Sequence, residues 1–158
     1  MNDLNAIGLN TVKSAELASQ LNDLLSNYSV FYQNTRGYHW NIKGDDFFVL
    51  HQKFEDLYNN LFLKIDEVAE RILTLGFRPN HNFTDYFKTA SILEAGEVID
   101  GQNSVTMVLE SLGILLEKQR LILDLSAEID DTGTNSLMSD YIREQEKMVW
   151  MYSAYIKN

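Results

Sequence analysis

Apolar residues recur at spacings of three and four from Val12 to Tyr32, taking in Ala15, Leu17, Ala18, Leu21, Leu24, Leu25, Tyr28 and Phe31. That period gathers them on one stripe of an α-helix, so a first helix is predicted from residue 10 to about residue 40, capped by Asn10 or Thr11. Asn41-Ile42-Lys43-Gly44 interrupts the pattern. Asp45 follows as an N-cap, and Asp46 adds negative charge to the first turn of the next helix. Phe47, Leu50, Phe54, Leu57, Leu61, Ile65, Val68, Ile72 and Leu75 then continue a helical stripe up to Gly76, which supplies the stop.

Residues 77 to 100 lose the period. They contain the only proline, Pro79, and a short helix is predicted around Thr84 to Ala90. A third long helix is expected from about Gln102 to Ile129, then a turn at Asp130-Asp131-Thr132-Gly133-Thr134, then a fourth from about Asn135 to Ile156. A connection as long as 77–100 crosses a bundle and lets the second and third long helices run parallel. The expected fold is therefore all-α: a four-helix bundle in one domain, residues 1–158, with a crossover between helices 2 and 3 that carries a short extra helix.

Composition sharpens this picture. At 158 residues the chain is long enough to bury a core without staples. It has no cysteine, which excludes disulfides, thiolate metal sites and cysteine nucleophiles. No charged region followed by an apolar run opens the chain, and no apolar stretch reaches the roughly 18–20 residues of a membrane span. A soluble, cytoplasmic protein is expected. The formal charge is −10, with 23 acidic and 13 basic residues. Such acidity keeps a protein soluble, and in an assembly it also draws cations.

The candidate chemistry lies on the second helix. His51 and Glu55 are spaced i,i+4, as are Asp66 and Glu70, so each pair stacks on one helical face and can share an ion. The pairs begin fifteen positions apart, at 51 and 66, which is about 22 Å along a helix and far beyond one coordination sphere. Two copies of the helix crossing antiparallel about a two-fold axis near Asn59 to Leu61 would bring His51/Glu55 of one beside Asp66/Glu70 of the other, twice over. His39, at the end of the first helix, would join from the His51 side. A mixed imidazole and carboxylate sphere suits Fe(II), Mn(II) or Zn(II). Acidic i,i+4 positions also arise on any solvated helix, so spacing alone leaves a metal site and a plain polar face both open. No acidic residue stands three positions before His39, His51 or His81, so the Glu-x-x-His motif of ordinary di-iron bundles is missing.

The run YHWNIKGDDFFVLHQKFEDLYNNLFLKIDEVAERILTLG, residues 38–76, resembles the Dps family, the mini-ferritins named as DNA-binding proteins from starved cells. The resemblance rests on His39-Trp40, on His51 twelve residues later and on Asp66-Glu-Val-Ala-Glu70-Arg71, and it extends through the crossover to the ending EKMVWMYSAYI. It implies a ferritin-like fold, a hollow dodecamer, and ferroxidase centres at two-fold interfaces. There Fe(II) is oxidised to Fe(III), preferably by hydrogen peroxide, and stored as a ferric mineral. His39, His51 and Glu55 would come from one subunit, and Asp66 and Glu70 from its dyad mate. Members carry Asp or Glu at the position of Glu55.

The remaining candidates are weaker. Trp40 packs at the subunit interface or intercepts stray oxidising equivalents. His81 is expected on the surface, and Tyr28, Tyr32 and Tyr38 in packing. Glu128, Asp130, Asp131 and Asp140 cluster where the family has acidic three-fold pores, yet acids beside a helix start also serve as caps, and both roles stay open. Members that bind DNA do so through a Lys/Arg-rich tail, whereas the first twelve residues here carry Asp3 and no basic side chain. Binding to DNA is expected to be weak or absent.

Overall fold

The structure, a computed structural model, describes residues 3–157. Five helices follow one another: α1 Thr11–Asn41, α2 Phe47–Thr74, α3 Phe83–Thr89, α4 Gly101–Glu128 and α5 Thr132–Tyr155. The bundle, the crossover and its short helix stand as the periodicity predicts. Asn10 caps α1, its side chain accepting from the N–H of Lys13 at 3.0 Å. Gly44 and Gly76 both hold the left-handed backbone, φ 106° and 92°, where a side chain is strained, and they bound α2.

Three expectations shift. Asp46, not Asp45, occupies the N-cap of α2, so it stands outside the first turn that it was expected to charge. The short helix starts at Phe83, one residue early. The last helix starts at Thr132, because buried Asp131 caps it and accepts from the N–H of Thr134 at 3.0 Å. The turn expected to run to Thr134 is therefore confined to Ile129–Asp131, with Asp130 at φ 59°. A Thr-Gly-Thr stretch suggests a loop by propensity, but a good cap overrides it.

Side-chain pairs give the topology. Along α2, Asp46 meets Tyr155, Lys64 meets Glu144 and Arg71 meets Asp131, so α2 and α5 are antiparallel. Along α4, Gln119 meets Gln145 and Asn135 reaches Leu123, so α4 and α5 are antiparallel too. Helices α2 and α4 therefore run parallel. Leu17, Leu21, Leu24, Phe31, Phe54, Leu61, Ile72, Leu112, Leu115 and Met138 fill the core. A closed polar ring lies within it: Tyr28 donates to Gln119 Oε1, Gln119 donates to Gln145 Oε1 at 2.7 Å, and Gln145 donates back to the Tyr28 oxygen at 2.6 Å. Each group is buried, and the ring satisfies them mutually. Burial pushes the Tyr28 and Tyr141 hydroxyls up, keeping both neutral.

The crossover is held by asparagines of α1. Asn22 accepts from Asn80 N–H and donates to the Arg78 carbonyl; Asn34 accepts from Ala95 N–H and donates to the Leu93 carbonyl. Asn27 accepts from the N–H groups of both Ser91 and Ile92 at 2.9 Å. These side chains supply the partners that a segment without regular structure lacks. No helix among the described residues is long and apolar enough to cross a membrane.

Candidate metal centre

Helices α1 and α2 form an antiparallel hairpin, and Gly44 turns the chain within a connection of five residues, 42–46. This places the last turn of α1 beside the second turn of α2, and His39 beside His51. The two imidazoles lock each other through the main chain. His39 Nδ1 donates to the carbonyl of His51 at 2.6 Å, and His51 Nδ1 donates to the carbonyl of His39 at 2.7 Å. A carbonyl only accepts, so each Nδ1 carries a proton, and in the neutral ring the lone pair that can bind a metal is then on Nε2.

Ring packing fixes the orientation as well. The two imidazoles stack with centroids 3.8 Å apart and planes 12° from parallel. Phe47 stacks on the outer side of His51 at 4.9 Å, and Tyr58 meets His39 edge-on at 5.3 Å. His39 is buried and His51 half-buried. Tyr38, beside His39, packs on Phe54 at 5.8 Å, and burial pushes its hydroxyl up to about 12. Glu55 follows His51 by one turn and is half-buried.

Asp66 and Glu70 stand further along α2, both exposed. Among the described residues no three His, Asp or Glu side chains converge to hold an ion. The chain thus brings His39 and His51 together, keeps Glu55 on the same stripe, and leaves the two distal carboxylates apart. At 100° per residue, Phe48, His51, Glu55, Phe62, Asp66, Glu70 and Leu73 fall on a single stripe of α2, opposite the buried Leu50, Phe54, Leu57, Leu61, Lys64, Val68 and Ile72. Phe48 is 83% exposed and Phe62 58%, so apolar rings and carboxylates share one uncovered face. Trp40 lies beside it, 55% exposed, with the Arg36 guanidinium 4.7 Å over its ring.

The turn carboxylates divide into two kinds. Asp131 is buried, receives the Arg71 guanidinium at 2.6 Å and the Thr134 hydroxyl at 2.5 Å, and caps α5, so capping is its role. Gly133 makes room for the arginine, since a Cβ there would lie 2.7 Å from the guanidinium. Glu128 and Asp130 are exposed, and Asp140 pairs with Arg143 at 2.9 Å on the surface. His81 is exposed in the crossover. Sequence reasoning missed the part of Tyr58, which sits seven residues after His51 and carries no motif, and the reciprocal carbonyl bonds, which no pattern of side chains encodes.

Two antiparallel helix pairs joined by a crossover, with α2 and α4 parallel, make a ferritin-like bundle. A profile of the ferritin-like domain matches residues 18–158. The chain is 42% identical over 152 residues to the DNA protection during starvation protein of Porphyromonas gingivalis, covering 96% of each. The crystal structure of a Dps protein from Vibrio cholerae O1, described as one of the ferritin-like diiron-carboxylate proteins, superposes with a TM-score of 0.97 at 57% identity, covering 99% of this chain and 98% of that one. A Dps protein from Bacillus brevis gives 0.89 at 32% identity, covering 92% and 98%. The chain belongs to the Dps family of ferritin-like proteins.

Proposed function

We propose that this protein is a ferroxidase and iron store that protects its cell by consuming Fe(II) together with peroxide. The observation that carries this reading is the reciprocal imidazole pair, which engages Nδ1 of each ring and leaves Nε2 as the donor, with His51 on the same stripe of α2 as Glu55, Asp66 and Glu70 and His39 stacked against it from α1. Family membership and the diiron-carboxylate description of the Vibrio relative support iron as the metal.

Iron is substrate here. His39, His51 and Glu55 of one subunit bind it together with Asp66 and Glu70 of the dyad mate, because about 22 Å of helix separates the two sets within a chain. Hydrogen bonds from Nδ1 to carbonyls hold the rings and raise the basicity of Nε2. Two Fe(II) give one electron each to one hydrogen peroxide, which takes up two protons and leaves as two waters. Paired transfer avoids the hydroxyl radical that a single electron would release. Carboxylates balance the charge of the Fe(III) formed, which passes to a mineral inside a closed cytoplasmic dodecamer. Protection then works by removing reactants. Direct coating of DNA is disfavoured, since −10 per chain repels phosphate, and repels it more strongly in an assembly.

The test is anaerobic loading with Fe(II), then addition of peroxide while ferric absorbance is followed, for the wild type, His51→Ala and Asp66→Ala. Rapid oxidation with iron retained on the oligomer, slowed about 100-fold in both variants, is the expected result. A wild-type rate equal to buffer, or variants as fast as the wild type, would refute the assignment.

A further inference from the structure

The helix that carries the site begins by breaking a rule. Asp46 occupies the N-cap of α2, where an aspartate ordinarily accepts a hydrogen bond from a backbone N–H two or three residues on, yet it makes no such bond. Asp100 and Asp131, which start α4 and α5, do make it, at 2.9 and 3.0 Å. The Asp46 carboxylate is engaged elsewhere: Oδ2 accepts from the hydroxyl of Tyr155, the last residue of α5, at 2.6 Å.

Three segments meet at this bond. The N–H of Lys43, before α2, donates to the carbonyl of Ile99 at 2.8 Å, and the N–H of Lys157, after α5, donates to Gln102 at 3.1 Å. Gly101, the first residue of α4, lies against the Tyr155 hydroxyl. A Cβ at 101 would strike that oxygen and sit 2.7 Å from Leu50 Cδ1, so any side chain there displaces Tyr155, Leu50 or both. Leu50 is buried and adjoins His51, and Phe47, next to Asp46, stacks on the His51 ring. Desolvation and the Asp46 carboxylate push the Tyr155 hydroxyl up to about 12, so it remains a donor through the neutral range.

We propose that Tyr155 and Gly101 are positioning residues for the metal centre: the bond from Tyr155 to Asp46, seated on Gly101, ties the first turn of α2 to the carboxy-terminal turn and sets the Phe47–His51–His39 stack. The proposal rests on His39 and His51 being metal ligands. It accounts for an N-cap aspartate that does not cap, and for a glycine at the start of α4 where φ does not require one. The contact acts through Asp46, Phe47 and Leu50, so its effect is smaller than that of a group bonded to a ligand.

Co(II) serves as probe because its visible absorption reports ligand geometry. It is titrated into assembled wild type, Tyr155→Phe, Asp46→Ala, the double variant, Gly101→Ala and His51→Ala, with thermal unfolding measured in parallel. Tyr155→Phe and Gly101→Ala should each weaken Co(II) binding about fivefold and shift its absorption band, against the roughly 10–100-fold usual for a partner bonded directly to a ligand. The double variant should bind no more weakly than either of its single parents, as two ends of one interaction behave. A band lost in His51→Ala but unchanged in Tyr155→Phe and Gly101→Ala overturns this proposal alone, whatever happens to stability. Absence of a band in the wild type, or its survival in His51→Ala, overturns the metal-centre assignment and this proposal with it.

Discussion

The two ends of α2 carry the two halves of the candidate site and are built differently. At the amino-terminal end, His51 is held by a main-chain bond, stacked on two rings and backed by a buried core around Tyr38 and Phe54. At the other end, Asp66 and Glu70 are exposed, and among the described residues no ion pair involves either. What is fixed there is the neighbour, Arg71, whose guanidinium is held by Asp131 and Thr134. Imidazoles need orienting because only one nitrogen can bind and its direction matters. Carboxylates accept from many directions, and left in water they cost the monomer nothing. One half is therefore preorganised within the chain, and the other is, in the proposed function, completed by a partner subunit.

The largest expected effect tests that division. Coassembly of His51→Ala chains with Asp66→Ala chains should restore oxidation that neither shows alone. In a mixed dimer one site receives both defects and the other none, so random pairing leaves about a quarter of all sites intact. A rate no better than that of the parents would mean that each chain completes its own site. Next comes the carboxy-terminal end. Asp131→Asn strands a largely buried guanidinium and weakens a cap, and should cost about 3 kcal/mol in denaturant unfolding. Oxidation per folded oligomer should change less than about threefold, since Asp66 and Glu70 are not bonded to Asp131. A rate loss matching that of Asp66→Ala would erase the contrast between the ends.

The smallest effect concerns alkaline pH and the amino-terminal end. Burial raises the Tyr38 hydroxyl to about 12 in the fold, against about 10 in the unfolded chain. Below pH 10 the group is neutral in both states and its contribution to stability is intact. Between pH 10 and 12 the unfolded chain loses the proton first, so stability falls by on the order of 2 kcal/mol. Tyr38→Phe should flatten that part of the melting profile; an unchanged slope would show that Tyr38 ionises freely.

Much of this was legible beforehand. The period-3.6 stripes placed α1, α2 and α4 to within a residue or two, because each helix buries one long apolar face and such a face is a local pattern. Gly44 and Gly76 marked the limits of α2 because a positive φ favours a residue without Cβ. The i,i+4 pairs on α2, and the distance between them, followed from helix rise alone. Less legible were the features that depend on residues far apart in sequence. Asp131 read equally as a pore carboxylate or a cap until Arg71, sixty residues earlier, came to lie against it. Asn22, Asn27 and Asn34 belong to no sequence motif, but they hold the crossover from 56 to 65 residues away.

The sequence by itself determined the helices, their order and the face of α2 on which chemistry is available, since helical period and chain geometry act within a few turns. Tertiary structure alone decided which imidazole nitrogen is free, where the last helix begins and what occupies the Asp46 carboxylate. Those outcomes depend on a carbonyl, a guanidinium and a hydroxyl brought close by packing, and hydrogen bonds of 2.6–2.7 Å are set by that closeness and by no local pattern.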